Sequence, residues 1–270
     1  MYPETILPIV AHVPHAGTLV PDSVRGQFTV RPQELWREIA MVTDWYTDEI
    51  FGMPGIAASQ TPISRIVTDL ERYIDDEREP RAKVGQGVIY SHDTLGQRIR
   101  RELSDREHCS LLDNYYHPWH LKLEMDIEQQ LDRWGHCLLL DCHSFPNEPF
   151  ENQDKYPIPP PSICLGVNDD STPEWLIESC HRLFLQRGYS ISVNFPYAGC
   201  LVPERFQGNT HVPAIMLEIN RRLYLKPASR DCYRLENVPA KTAKFERLRY
   251  DIWAIMLLLA EEMQCRKVAG

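Results

Sequence analysis

Four short segments of this chain carry residue types that do chemistry. In Val13-Pro14-His15-Ala16-Gly17-Thr18 a histidine follows an apolar run and a glycine allows a tight turn beside it. His15 suits metal ligation or proton transfer there; a turn-capping histidine is the plain alternative. In Leu140-Asp141-Cys142-His143-Ser144, Asp141 and His143 lie two apart on an expected strand, so they share a face. A carboxylate beside an imidazole orients it and raises its basicity as a ligand. A buried Asp–His pair without further purpose is the alternative, but ending a Leu-Leu-Leu run in charges is costly. Glu218 interrupts the apolar run AIMLEI, residues 214–219. A buried carboxylate has a raised pKa and can act as a general base near neutrality, unless it only pairs with Arg221 or Arg222. In Ser64–Arg72, Arg65 and Arg72 bracket an apolar run. Their planar forks match carboxylates, of a ligand or of a neighbouring Asp.

Weaker candidates surround these. Helical spacing puts Tyr116 and His120 on one face, read first as packing, with His120 kept as a substrate contact. Pro196-Tyr197-Ala198-Gly199 is a turn that can bring Tyr197 and Gly199 against a ligand, and Asn220 follows Glu218 as a further contact. Asp44 lies almost opposite the stripe Leu35, Ile39, Val42, Tyr46 and Ile50, which favours a solvated face. Trp36, Ala40 and Phe51 share its side, however, so Asp44 stays a candidate ligand. The eight cysteines form no C-x-x-C pair, and Cys137, Cys142 and Cys164 sit in apolar runs. A cysteine hydrolase using Cys142 or Cys200 is a minor alternative.

The elements that must position these residues alternate in type. Strands are expected at 6–13, 64–70, 136–142, 163–167, 191–195 and 214–219. Helices are expected at 32–51, at about 95–134 with a break near Pro118, at 173–187 with Thr172 as N-cap and Gly188 beyond its end, and at 241–263. The last has Phe245, Leu248, Ile252, Ile255 and Leu259 on one face. Such alternation implies a mixed, mostly parallel sheet flanked by helices, with ligands beyond the carboxyl ends of the strands. The proline-rich stretch 146–161 follows a strand and reads as a loop over the site.

Composition sets the outer bounds. The chain has 270 residues, 43% hydrophobic and 25% charged, which suits one catalytic domain over 1–270. A net charge of −9 without a Lys/Arg cluster argues against nucleic acid as a partner. No apolar run reaches the roughly 20 residues of a membrane span, and Met1–Val10 lacks a signal-peptide pattern. The expectation is a cytoplasmic chain; the sequence admits a homo-oligomer.

Taken in order, PHAGTLVP (14–21), TDWYTDEIF (43–51), SRIVTDLER (64–72), GQGVIY (85–90), YYHPWH (115–120), DCHSFP (141–146), NFPYAGCLVP (194–203) and MLEINRRLYL (216–225) resemble the N-formylglutamate amidohydrolase family. That family in turn looks like the zinc carboxypeptidase and aspartoacylase group. The resemblance implies a three-layer phosphorylase/hydrolase-like α/β fold, one zinc per chain and a small N-acyl amino acid as substrate. It maps His15 and His143 to zinc ligands, Glu218 to the general base, and Arg72 to the substrate carboxylate group; in the mechanism expected from this, Arg65 or Arg72 holds the substrate carboxylate or the developing oxyanion. The wider group reads H-x-x-E in its first loop, whereas this chain has Thr18 at that place. The third ligand is therefore expected from Asp44 first and Glu71 second. Relatives often carry Asn where Glu71 precedes Arg72, which bears on the choice of substrate. The alternatives are an amidohydrolase for another N-acyl amino acid and a non-catalytic binding protein on the same fold.

Overall fold

The computed structural model describes residues 7–153, 155, 159–228, 230–234 and 237–269. Its centre is a sheet of Ile9–Val13 (β1), Ala57–Gln60 (β2), Leu138–Phe145 (β3), Ile163–Gly166 (β4), Ile191–Val193 (β5) and Ala214–Asn220 (β6), ordered β2-β1-β3-β6-β4-β5. The four strands β2, β1, β3 and β6 are parallel; β4 runs antiparallel to β6, and β5 parallel to β4. The helices are Asp22–Arg25 (α1), Pro32–Val42 (α2), Thr47–Phe51 (α3), Asp105–Leu111 (α4), His117–Trp134 (α5), Glu174–Gln186 (α6) and Phe245–Ala269 (α7). This is the α/β architecture read from the sequence, a mixed and mostly parallel sheet between helices.

The two faces of the sheet differ, and the difference locates the site. On one face Ala11, Val13, Leu140, Cys142, Leu217 and Ile219 form a continuous core with α3, α6 and α7. Side chains alternate along each strand, so the residues between them face the other way. There Val10, Leu139 and Ala214 pack on Leu123 and Ile127 of α5. Toward the carboxyl ends the same face turns polar, presenting His12, Asp141, His143 and Glu218. Register aligns these side by side, His12 opposite Asp141 and His143 opposite Glu218. The apolar half anchors the sheet to α5, and the polar half is left for chemistry.

Several elements differ from the sequence reading. Residues 64–70 are not a strand: Val67 N–H closes a local turn on Ser64 O, and Asp69 N–H reaches across to Val88 O. Ile66 and Val67 are apolar because they fill a satellite core, and Arg100 donates to both their carbonyls. The parallel edge strand is instead β2, whose sequence AASQ carries no pattern. The helix expected at 32–51 stops at Val42, because Thr43 is extended (ψ 134°) with its hydroxyl on Ile39 O. The helix drawn from residue 95 begins at Asp105, capped by Ser104 and Glu107. It runs past Pro118 unbroken, through a wider turn at Leu112–Tyr116. Pro173, not Thr172, caps α6; the Thr172 hydroxyl donates to Ala214 O. Strand β3 runs on to Phe145, so His143 lies within it. Residues 1–6, Pro157 and the rest of 156–158 lie outside the described residues.

The loop after β1 has no spare room. Leu19 N–H donates to Pro62 O and Ser64 N–H to Leu19 O, zipping 17–19 against 62–64. A Cβ on Gly17 would sit 2.5 Å from Ile63 O. Gly17→Ala must therefore push the His15 loop off its seat, and we expect about 1–3 kcal/mol of lost stability by urea denaturation. An unchanged midpoint would contradict this packing.

Candidate active site

His15 leaves β1 into that loop, and the Asp44 N–H donates to the His15 carbonyl at 2.9 Å. This contact turns Asp44 inward just where α2 ends. Asp44 is 2% exposed, not on the solvated face that a continued helix would give it. Its Oδ1 accepts from Arg221 at 2.9 Å, and its Oδ2 stands 3.1 Å from His143 Nδ1 and 3.6 Å from His15 Nδ1. Burial opposes ionisation of Asp44, but its contacts with His143 and His15 and the charge of Arg221 carry its pKa below the ordinary value.

Each histidine is oriented from behind by a carboxylate. His15 Nε2 bonds Asp69 Oδ1 at 2.8 Å, which leaves Nδ1 facing Asp44 and Glu71 Oε2, also 3.6 Å away. That Nδ1 is buried and has no hydrogen-bond partner. His143 Nε2 meets Asp141 Oδ1 and Glu71 Oε1, both at 2.8 Å, and its ring centroid lies 5.1 Å from that of His15. Burial would lower the pKa of His143, yet Glu71 and Asp141 hold it well above the ordinary value. The pocket thus presents converging acceptors and stabilises positive charge. His15, Asp44 and His143 offer ligand atoms within 4.8 Å of one another. An orphaned imidazole nitrogen facing carboxylates is a donor set that could hold a divalent cation.

His12 was missed in the sequence, although a lone histidine inside the buried run of β1 was a signal. Its Nδ1 bonds Asp141 Oδ1 at 2.9 Å, and Trp119 Nε1–H donates to its Nε2 at 3.2 Å. His12, Glu71, Asp141 and His143 also lie within ligand reach of each other. Both nitrogens of His12 are already occupied, so it orients Asp141, whose other oxygen accepts from Leu201 N–H at 2.8 Å.

Glu218 is 7% exposed beside His143, and its Oε2 is buried without a hydrogen-bond partner. Burial, helped by Asp44 and Glu71 and opposed by His143, pushes its pKa up to about 8. The ion pair considered from sequence is not made: Arg221 is committed to Asp44, Ser144 and Met41 O, and Arg222 reaches Pro160 O.

These groups line a cavity of about 750 Å³ together with Arg65, Arg72, His120, Tyr197 and Gly199. Arg65 grips Asp69 Oδ2 through Nε (3.0 Å) and a terminal nitrogen (2.7 Å). Arg72 Nε lies 3.6 Å from the same oxygen without a hydrogen bond. His120 donates from Nε2 to Leu70 O at 2.9 Å, and Tyr116 from its hydroxyl to Arg72 O at 3.0 Å. The two rings stack at 4.2 Å and hold the backbone that carries Glu71. Burial pushes the His120 pKa down to about 4. Asn220 does not join this lining. It is fully buried, and its amide donates to Pro161 O (3.1 Å) and Asn147 Oδ1 (3.4 Å), tying both ends of the proline-rich loop to β6. Pro146, Phe150 and Gln153 of that loop do roof the cavity. Cys200 lines it too, but burial pushes its thiol up to about 12, and that of Cys142 well above the ordinary value. Neither is a ready nucleophile.

Comparisons with known proteins bear on the family and the fold. The family model described as N-formylglutamate amidohydrolase matches residues 7–225. An N-formylglutamate deformylase of Pseudomonas putida is 25% identical over 84% of this chain and 85% of its own, and one of Pseudomonas aeruginosa 24% identical over 90% and 91%. The crystal structure of N-formylglutamate amidohydrolase from Ralstonia eutropha superposes with a TM-score of 0.77 at 24% identity, covering 97% of this chain and 95% of its own. A gene product from Agrobacterium tumefaciens follows at TM-score 0.61 and 15% identity, with 97% and 93% covered. A carboxyl-edge site of this composition on this fold, in such company, is that of an amidohydrolase. The chain belongs to the N-formylglutamate amidohydrolase family.

Asp69 is the test of this construction, because it takes His15, Arg65, Tyr90 and the Glu71 N–H together. Asp69→Asn leaves the Arg65 guanidinium without its counter-charge. We expect about 3–5 kcal/mol of lost stability in chemical denaturation; a loss below about 1 kcal/mol would count against a central role.

Proposed function

We propose that this enzyme is a zinc-dependent deformylase that hydrolyses N-formyl-L-glutamate to glutamate and formate in the cytoplasm, as a step of histidine breakdown. The observation that carries the metal is the buried, unpartnered Nδ1 of His15, which faces Asp44 and Glu71 beside His143. The substrate reading is supported by the names of the two Pseudomonas relatives and by the arginines of the cavity. The reading needs no nucleic-acid or membrane partner, and no described helix is long and apolar enough to cross a membrane.

His15, His143 and Asp44 would hold the ion, with Glu71 the neighbouring carboxylate. Zinc in a two-histidine, one-carboxylate set supplies Lewis acidity, acidifying water and polarising a carbonyl. Asp69 and Asp141 keep the two imidazoles in the ligating tautomer. Hydrolysis adds water across the formyl C–N bond. Glu218 takes one proton from the attacking water and returns it to the departing amine, so that glutamate and formate leave with atoms balanced. Arg72 holds a substrate carboxylate, and Arg65, beside it, stabilises charge developing on the carbonyl oxygen. Tyr197 and Gly199, which line the cavity, contact the substrate, and His120 supports the Glu71–Arg72 backbone through Leu70 O.

Purified protein should contain about one zinc per chain. A chelator should abolish formate release and added zinc restore it, while His143→Ala should lose metal and activity together. Full zinc in that variant by elemental analysis would reject the ligand set.

Glu218→Gln separates base from structure. The amide keeps the shape, so folding and zinc content should survive while kcat falls by about 10²–10⁴-fold with KM little changed. Normal turnover in a well-folded variant would exclude Glu218 as the base.

A further inference from the structure

An N-formyl dicarboxylic amino acid brings two carboxylates into the cavity, and Arg72 accounts for one. A second set of donors lines the same cavity on the turn Pro80–Val84 and just after it. Arg81 is half-buried there, its guanidinium held by Asn152 O at 3.0 Å and by Gln86 Oε1. Among the described residues no carboxylate pairs with it. Gln86 is 3% exposed; its Oε1 accepts from Arg81 and, at 3.1 Å, from Asn152 Nδ2. Its Nε2 is then a buried donor without an acceptor. Both residues line the cavity.

A cation without a counter-charge next to a donor without an acceptor is a site short of an anion. Glu79 does not supply it. That carboxylate accepts the backbone N–H groups of Tyr73 (3.2 Å) and Arg81 (2.9 Å) and shapes the turn instead. Burial, with the nearby charges of Arg72 and Arg65, disfavours the charged form of Arg81, a cost that a bound anion relieves. We propose that Arg81 and Gln86 form a second anion subsite that binds the side-chain carboxylate of the substrate and sets the preference for a dicarboxylic N-formyl amino acid. The proposal rests on the deformylase reading above. It also gives the proline-rich loop a part, because Asn152 fixes the Arg81 fork from above.

The test has a binding arm and a kinetic arm. In calorimetry, glutarate should bind the wild-type holoenzyme at least about tenfold more tightly than pentanoate, which lacks the second carboxylate. Arg81→Met should weaken glutarate by roughly 10–150-fold, the usual worth of a hydrogen bond to a charged group, and pentanoate far less. Gln86→Leu should shift glutarate in the same direction by a smaller factor. In formate release, Arg81→Met should lower kcat/KM on N-formylglutamate by a similar factor while N-formylglutamine, isosteric and uncharged, loses much less. Equal losses on both members of either pair would mean that Arg81 only fastens the loop, and would overturn the subsite. Discrimination of glutarate with no formate release from any N-formyl amino acid would overturn the deformylase reading and leave the subsite standing. Formate release with an unaltered Glu/Gln ratio in the variant would do the reverse.

Discussion

One buried hydrogen bond sets the state of the whole site: His15 Nε2 to Asp69 Oδ1 at 2.8 Å. It places the proton on the far side of the ring and turns the free nitrogen toward Asp44 and His143. Asp69 can do this only as a fully buried anion, which is expensive unless its remaining lone pairs are used. Arg65, Tyr90 and the Glu71 N–H use them. The segment 64–72 is therefore folded around its own aspartate, and Arg100 closes it from behind on the carbonyls of Ile66 and Val67. Asp141 repeats the arrangement on the sheet, taking His12, His143 and Leu201 N–H. Loop and strand thus each deliver one imidazole with its tautomer chosen.

The charge balance around the two histidines follows from that. Asp44, Asp69, Glu71, Asp141 and Glu218 supply five carboxylates, against Arg65, Arg72 and Arg221. The carboxylates thus outnumber the arginines, a surplus that a divalent cation would offset. Without such a cation the surplus is carried elsewhere, by the raised pKa of His143 and of Glu218. Proton and metal would compete for the same deficit, as expected where ligands must be deprotonated to bind.

How much of this was legible in the sequence depended on whether position or contact decided each residue. Asp141, His143 and Glu218 were readable because strand alternation puts polar residues on one face and an apolar run makes them conspicuous. The apolar face of α7 was readable for the same reason. Asp44 was legible as a residue but not as a place. Only the Thr43 hydroxyl on Ile39 O marks the end of α2 locally, and the turn that buries Asp44 is made by a bond to the carbonyl of His15, 29 positions earlier. Residues 64–72 look like a strand because Ile66 and Val67 are buried, but a loop can bury them equally well. The real edge strand, AASQ, pairs through its backbone alone and leaves no pattern. Asn220 looked like a ligand contact because it follows Glu218; alternation does put it on that face, but beyond the cavity, where it fastens a loop.

Glu218 shows why these features belong together. Its neighbour in register is His143, so the proposed base and a proposed ligand are held at fixed spacing by two adjacent parallel strands. Burial in an apolar run raises its pKa to about 8, and so would keep it protonated at neutral pH. A carboxylate that must accept a proton cannot begin with one. Adding positive charge beside His143 lowers that pKa toward the working range, which the same burial makes steep because the local dielectric is low. In the proposed mechanism, ionisation of Glu218 would thereby be tied to occupancy of the proposed ligand set. The apolar surroundings that raise the Glu218 pKa would then also keep it protonated until a cation is bound.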